Sequence, residues 1–428
     1  WMPDGGKKYF FKAPKINTFK DFEDLNAQIQ KELKITIDTL CSPYFSGRGY
    51  VDKGCLKAAD YLKAYFQSIG IEDKNIVQQN YHFNVNTFPG NMLVVLNDTI
   101  RLRAGIDFLV DAASNKAHFD KRILKRIALD KIQNRDGIKL AFNSLHEKKY
   151  AYILDSLDVA VKKLGIKNDD ILSILPEGLF IIPSTKKLIW DVSNDNYKAS
   201  IIHLQSALLN DSSVSIKVNI DQKLKYMVKQ KNIVAIIPGN CDSILVFSAH
   251  YDHLGKMGNE VYFPGASDNA SGTSLMLALA NYYKQIETNK YTMVFIAFSG
   301  EEAGLLGSQY FVDHPLVNLK KIKFLTNIDI AGDATNGITV VNGSVFKNQF
   351  DLLNTVNNEA NLLPEIRNRG KASISDHYFF SEKNIPSFFI YTNGGKGYYH
   401  DIFDQAKELS LNNIDGLYNL LIQFYNKL

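Results

Sequence analysis

The chain has 428 residues, 45% hydrophobic and 12% aromatic, and a formal net charge of +4. That length fits one large or two medium domains, and the composition supplies a sizeable core and excludes a disordered chain. The charge is too small for a nucleic-acid or anionic-membrane surface, and the longest apolar runs fall well short of the ~20 residues of a membrane-spanning helix.

Trp1 is not a natural start, so an upstream segment, with room for a signal peptide, is expected. The three cysteines, Cys41, Cys55 and Cys241, form neither a metal-binding pair nor a disulfide framework and read as buried, inert thiols. No P-loop or dinucleotide-type glycine fingerprint occurs.

In chain order, residues 17–40 carry apolar side chains at helical spacing. A turn-rich loop, CSPYFSGRGYVDKG, leads into an amphipathic helix over 55–69, stopped by Gly70, and then a strand over 77–85. From about 89 to 211 short apolar runs alternate with charged ones, and His118, His146 and His203 are scattered without forming a ligand cluster. Beyond it come strand-like 214–228 and a short buried strand at 232–238. The remainder alternates strands at 244–247, 293–298, 324–330, 338–341 and 387–391 with helices at 274–286, about 304–311, 350–361 and 414–427. Such alternation indicates a mainly parallel sheet covered on both faces. The predicted class is α/β. A three-layer α/β/α sandwich occupies 15–90 and 212–428, and a smaller α+β domain is inserted at 91–211.

Chemistry-bearing side chains gather just past the predicted strands, where open α/β folds place their sites. His250 and Asp252 are two apart, a spacing that suits a ligand imidazole held by a carboxylate. Asp268 sits among small residues in GASDNASG, and a carboxylate has two oxygens with which to bridge two cations. Glu301 and Glu302 are adjacent and cannot easily point the same way. One can bind a metal while the other serves as general base. Asp329 lies in the apolar run FLTNIDIAG, where a carboxylate needs a partner. His400 follows a glycine-rich loop, with Tyr399 beside it as a donor toward a developing oxyanion. Singly, each has a plainer reading: a polar strand end, a helix-capping loop, an acidic helix start, a hydrogen-bonded buried Asp, a loop His. Asp333, past a glycine, reads as a surface or turn residue. Together, mixed His/Asp/Glu groups at successive strand ends suit two Zn2+ ions, with Co2+ or Mn2+ as substitutes.

The motifs HYDHLG, GASDNASG, FSGEEAGLLGS, NIDIAGD, SDHYFF and YYHDIFD resemble the co-catalytic zinc aminopeptidase family. That family also includes glutamate carboxypeptidase, glutaminyl cyclase and the transferrin receptor ectodomain. SPYFSGRGYVDKG and KNIVAIIPGN resemble it too, so the likeness covers about 40–81 and 232–428. It implies that His250 and Asp329 bind one zinc, that Glu302 and His400 bind the other, and that Asp268 bridges them through a residue whose peptide bond to Asn269 is cis. Asp252 would orient His250, Glu301 would be the general base, and Tyr399 would steady the tetrahedral intermediate. The insertion resembles, more thinly, a protease-associated domain.

The reaction so implied is hydrolysis of the first peptide bond of peptides with a free N-terminus, whose ammonium the metal carboxylates attract. Phe379, Phe380 and Tyr398 are candidates for an apolar specificity wall. Family habit places such an enzyme in the periplasm or outside the cell. Three alternatives stay open. A glutaminyl cyclase would use one zinc on Asp268, Glu302 and His400. A glutamate-type carboxypeptidase would rely on Arg367 and Arg369 for the substrate carboxylate. A binding relative would keep the fold without the chemistry.

Overall fold

The computed structural model describes residues 22–428, with side chains from 28 onward. The start of the helix expected at 17–40, and residues 15–21 of the expected sandwich, lie outside the described residues; the helix itself runs Phe22–Leu40.

The central sheet has eight strands. In spatial order they are Ile76–Thr87, Lys223–Ile237, Asn289–Phe298, Gly239–His250, Ile322–Ile328, Ser387–Thr392, Ile338–Val341 and Ile366–Arg369. The middle is parallel: Gly239–His250 pairs in parallel with both Asn289–Phe298 and Ile322–Ile328, and the latter with Ser387–Thr392. The flanks are mixed. Lys223–Ile237 runs antiparallel to both its neighbours, and Ile338–Val341 antiparallel to Ser387–Thr392. The sheet is therefore mixed around a parallel core. The expected strands 214–228 and 232–238 are cut differently: Lys223–Ile237 is continuous, and Ser215–Ile220 belongs to another sheet.

Period-two alternation explains the layers. Along the middle strand Leu245, Phe247 and Ala249 point into one core, against Phe66, Leu277 and Tyr425 of the helices Gly54–Ser68, Gly272–Gln285 and Ile414–Lys427. Ile244 and Val246 point the other way, against Phe311 and Phe380 of Leu306–Asp313 and His377–Glu382. With apolar side chains on both faces, the strand is stable only between two helical layers. Each fully buried side chain contributes roughly 1.5–3 kcal/mol.

A second eight-stranded sheet is built from strands between Met92–Leu96 and Ser215–Ile220. One face carries the helices Arg135–Asn143 and Leu157–Leu164. The other packs Val110, Ile202 and Trp190 against Leu254, Met257 and Phe263. These last three flank or form the short hairpin that follows HYDHLG, so the second sheet rests beside the candidate site. Cys41 and Cys55 are buried and free, whereas Cys241 is exposed, unlike the expected third inert thiol. No helix among the described residues is long and apolar enough to cross a membrane.

Candidate metal centre

Because the middle strands are parallel, their carboxyl ends share one edge. His250 ends Gly239–His250, Asp329 follows Ile322–Ile328, Glu301 and Glu302 lie just past Asn289–Phe298, and His400 lies on the loop after Ser387–Thr392. Asp268 arrives from a tight turn before the helix Gly272–Gln285, and its peptide bond to Asn269 is cis. Gly265 makes that turn possible at φ +60°, since a Cβ there would stand 2.3 Å from the Asp268 carbonyl oxygen and 2.4 Å from His253 Cδ2. Gly272 lets the helix start press on the Asp329 strand, since its Cβ would sit 2.4 Å from the Ile328 carbonyl oxygen.

The five expected ligand residues converge. His250 Nε2 lies 3.2 Å from Asp268 Oδ1 and 3.1 Å from Asp329 Oδ1. His400 Nε2 lies 3.2 Å from Asp268 Oδ2 and 3.2 Å from Glu302 Oε2. Each oxygen of Asp268 thus faces its own imidazole, and each imidazole faces a second carboxylate. A ligand atom of Glu301 also lies within 4.8 Å of ligand atoms of His250 and Glu302. Asp252 sits behind His250, its Oδ1 3.8 Å and its carbonyl oxygen 3.2 Å from Nδ1. Tyr399 stacks on His400 with ring centroids 3.9 Å apart and stays 42% exposed, so its hydroxyl is within reach of solvent.

Burying this many carboxylates leaves marked electrostatic signatures. Burial raises the Glu301 carboxyl; the His250 imidazole opposes that, while Asp329, Glu302 and Asp376 add to it, and the net position is well above the carboxylate range. Burial alone would lower His250, but Asp329 and Glu301 outweigh it and hold the imidazole well above its ordinary value. Burial raises Asp252 to about 6 against the opposing pull of His250. Buried carboxylates facing buried imidazoles through Nε2 form a donor set of the kind that holds divalent zinc.

Sequence reasoning missed several neighbours. His253, the second histidine of HYDHLG, is fully buried with Nδ1 2.6 Å from Glu302 Oε1. Ser375 donates to Asp329 Oδ2 at 2.7 Å, and Asp404 accepts from the Ser267 and Asp268 backbone amides at 2.8 and 3.1 Å. Tyr50 donates to Asp252, and buried Arg48 donates to the carbonyls of Tyr251, Pro264 and Gly265. All five lie inside or beside quoted motifs, so the signal was present. Asp191, from the 89–211 stretch where no ligand cluster is expected, was not foreseeable; its Oδ1 lies 2.9 Å from His400 Nδ1.

The other candidates have partners of their own. Phe380 is packed in the core against Phe298 and Phe311, which removes it from a specificity wall, and half-buried Phe379 lies against the same cluster. Tyr398 leans on Phe403. Arg367 is paired with Glu365, and Arg369 donates to Tyr391. Asp333 is buried rather than a surface residue, and accepts from the Thr335 amide at 2.8 Å within a turn.

Residues 232–425 match the model of peptidase family M28. Aminopeptidase YwaD of Bacillus subtilis is 40% identical over 116 residues, 26% of this chain and 24% of that protein. A probable leucine aminopeptidase of Arthroderma otae is 29% identical over 201 residues, 44% of this chain and 53% of that protein. The chain therefore spans about a quarter and about half the length of these curated relatives. Among solved structures, the zinc aminopeptidase BSAP from Bacillus subtilis superposes with TM-score 0.68 at 19% identity, over 93% of this chain and 94% of that one. A peptidase M28 precursor from Shewanella amazonensis superposes with TM-score 0.67 at 14% identity, over 94% and 95%. At these identities the likeness carries the fold, the α/β class expected from the sequence. The family resemblance read over about 40–81 and 232–428 is thus met, over residues 232–425, by an independent match to the model of peptidase family M28.

Proposed function

We propose that this protein is a zinc-dependent aminopeptidase with a two-ion centre. The supporting observation is the double aspect of Asp268, whose two oxygens face His250 with Asp329 on one side and His400 with Glu302 on the other. In this reading His250 and Asp329 hold one ion, Glu302 and His400 the other, and Asp268 is shared. Zinc bound there supplies Lewis acidity toward a peptide carbonyl and brings the pKa of water toward neutrality.

The remaining chemistry belongs to the chain. Glu301, a ligand atom of which lies within 4.8 Å of those of His250 and Glu302, would take the proton of the attacking water and hand it to the leaving amine. Asp252 keeps the His250 ring oriented, itself steadied by Tyr50. Tyr399, at the open side of His400, donates to the developing oxyanion. The carboxylate-rich cavity attracts the ammonium of a free N-terminus. The proposal includes an inserted domain over about 91–211 and export to the periplasm or outside, which fractionation of expressing cells checks.

A panel of aminoacyl-p-nitroanilides, assayed with chelator and with added zinc, tests the reading. Turnover abolished by chelator and restored by zinc supports it. Turnover indifferent to chelator, or an inert zinc-loaded protein, overturns it.

A further inference from the structure

We propose that the inserted region completes the metal centre: residues 187–191 form a strap that clasps the 397–401 loop, and Asp191 is the positioning residue that aims His400. The inference rests on the two-ion reading above and goes beyond it by assigning part of the second ion's site to the insertion.

The strap lies between the strands Leu179–Ser184 and Ser200–Gln205 and has no regular secondary structure of its own. Its course is therefore set by what it touches. Trp190 anchors it, stacking on Phe263 with centroids 4.8 Å apart and donating its indole N–H to the Val110 carbonyl at 2.8 Å. From that anchor the Trp190 backbone N–H donates to the His400 carbonyl at 2.9 Å. Lys187 donates to the Gly397 carbonyl at 3.1 Å and pairs with Asp401. Asp191 closes the clasp, with Oδ1 2.9 Å from His400 Nδ1.

The loop needs such support. His400 has φ +52°, a left-handed conformation costly for a residue with a Cβ, and Gly395 and Gly397 just before it add backbone freedom. A neutral imidazole carries one N–H. With Nδ1–H donated to Asp191, the lone pair of Nε2 points at the space between Asp268 and Glu302, each 3.2 Å away. His250 already has Asp252 at its back; Asp191 gives His400 the matching partner, but from the strap between two strands of the other sheet. The Asp191 side chain is 66% exposed, so it acts by direction and tautomer rather than as a buried charge.

The test is a zinc titration by chelator competition on the full chain, comparing parent, His400→Ala, Asp191→Ala and Asp191→Asn, with metal-free melting temperatures alongside. His400→Ala identifies which binding step belongs to that side of Asp268. The expected result is that Asp191→Ala weakens that step by about 10–100-fold, leaves the other step unchanged and leaves the metal-free melting temperature at the parent value. Asp191→Asn keeps an acceptor oxygen and loses less; it also answers where the alanine variant fails to fold. Two parent-like steps in Asp191→Ala overturn the inference while leaving the two-ion reading intact. A parent that binds one ion overturns both.

Discussion

Tyr50 donates its hydroxyl to Asp252 Oδ2 across 2.9 Å, joining two fully or nearly buried side chains 202 positions apart. The bond ties the loop before the Gly54–Ser68 helix to the residue behind His250, while Asp252 Oδ1 accepts the Glu301 amide at 3.2 Å. One carboxylate thus links an expected ligand to the expected general base.

Tyr50→Phe removes that donor and leaves Oδ2 buried without it. The expected loss is about 1–3 kcal/mol of stability and a fall in kcat of about tenfold as His250 loses its fixed backing. Urea unfolding and p-nitroanilide turnover measure the two; a variant equal to the parent in both shows that Asp252 does not depend on the Tyr50 hydrogen bond.

Glu301→Gln is nearly isosteric but cannot accept a proton. Turnover is expected to fall about 10²–10⁴-fold while bound zinc, measured by elemental analysis, stays at the parent level. Undiminished turnover refutes the assignment of the base.

Removing metal exposes the carboxylates around Asp268 to one another. The apo protein is expected to melt lower, and zinc at about 100 times its dissociation constant to restore about 2.7 kcal/mol. Asp268→Ala, lacking the oxygens that face both imidazoles, is expected to show no zinc-dependent shift of melting temperature at the same concentration. A zinc-induced shift as large as the parent's contradicts its shared role.

His377, fully buried near Phe389, is pushed down to about 4 by burial. Its folded pKa lies below the unfolded value of 6.5, so the unfolded chain binds the proton first. Its contribution is constant above pH 7 and is lost as pH falls from 6.5 toward 4, by up to about 1.4 kcal/mol per pH unit. His377→Phe removes this loss. Relative to the parent, the variant should gain stability as pH falls through that window, in denaturant melts at fixed steps of pH. A pH-independent difference shows that His377 is not held neutral.

Apolar runs of period two and of helical spacing point to the sandwich, and the position of acidic and imidazole groups just past those runs singles out His250, Asp268, Glu301, Glu302, Asp329 and His400 as a set. These are local signals: a strand buried on both faces reads as a near-continuous apolar run, and charged groups are favoured where it ends. Which oxygen of Asp268 faces which ring, the place of His253 against Glu302, and the reach of Asp191 into the centre were decided by the tertiary structure. Asp191 and His400 stand 209 residues apart and meet because Trp190 of the strap stacks on Phe263 of the hairpin after HYDHLG. Contact between distant segments depends on how whole layers dock, and no periodicity within either segment encodes it.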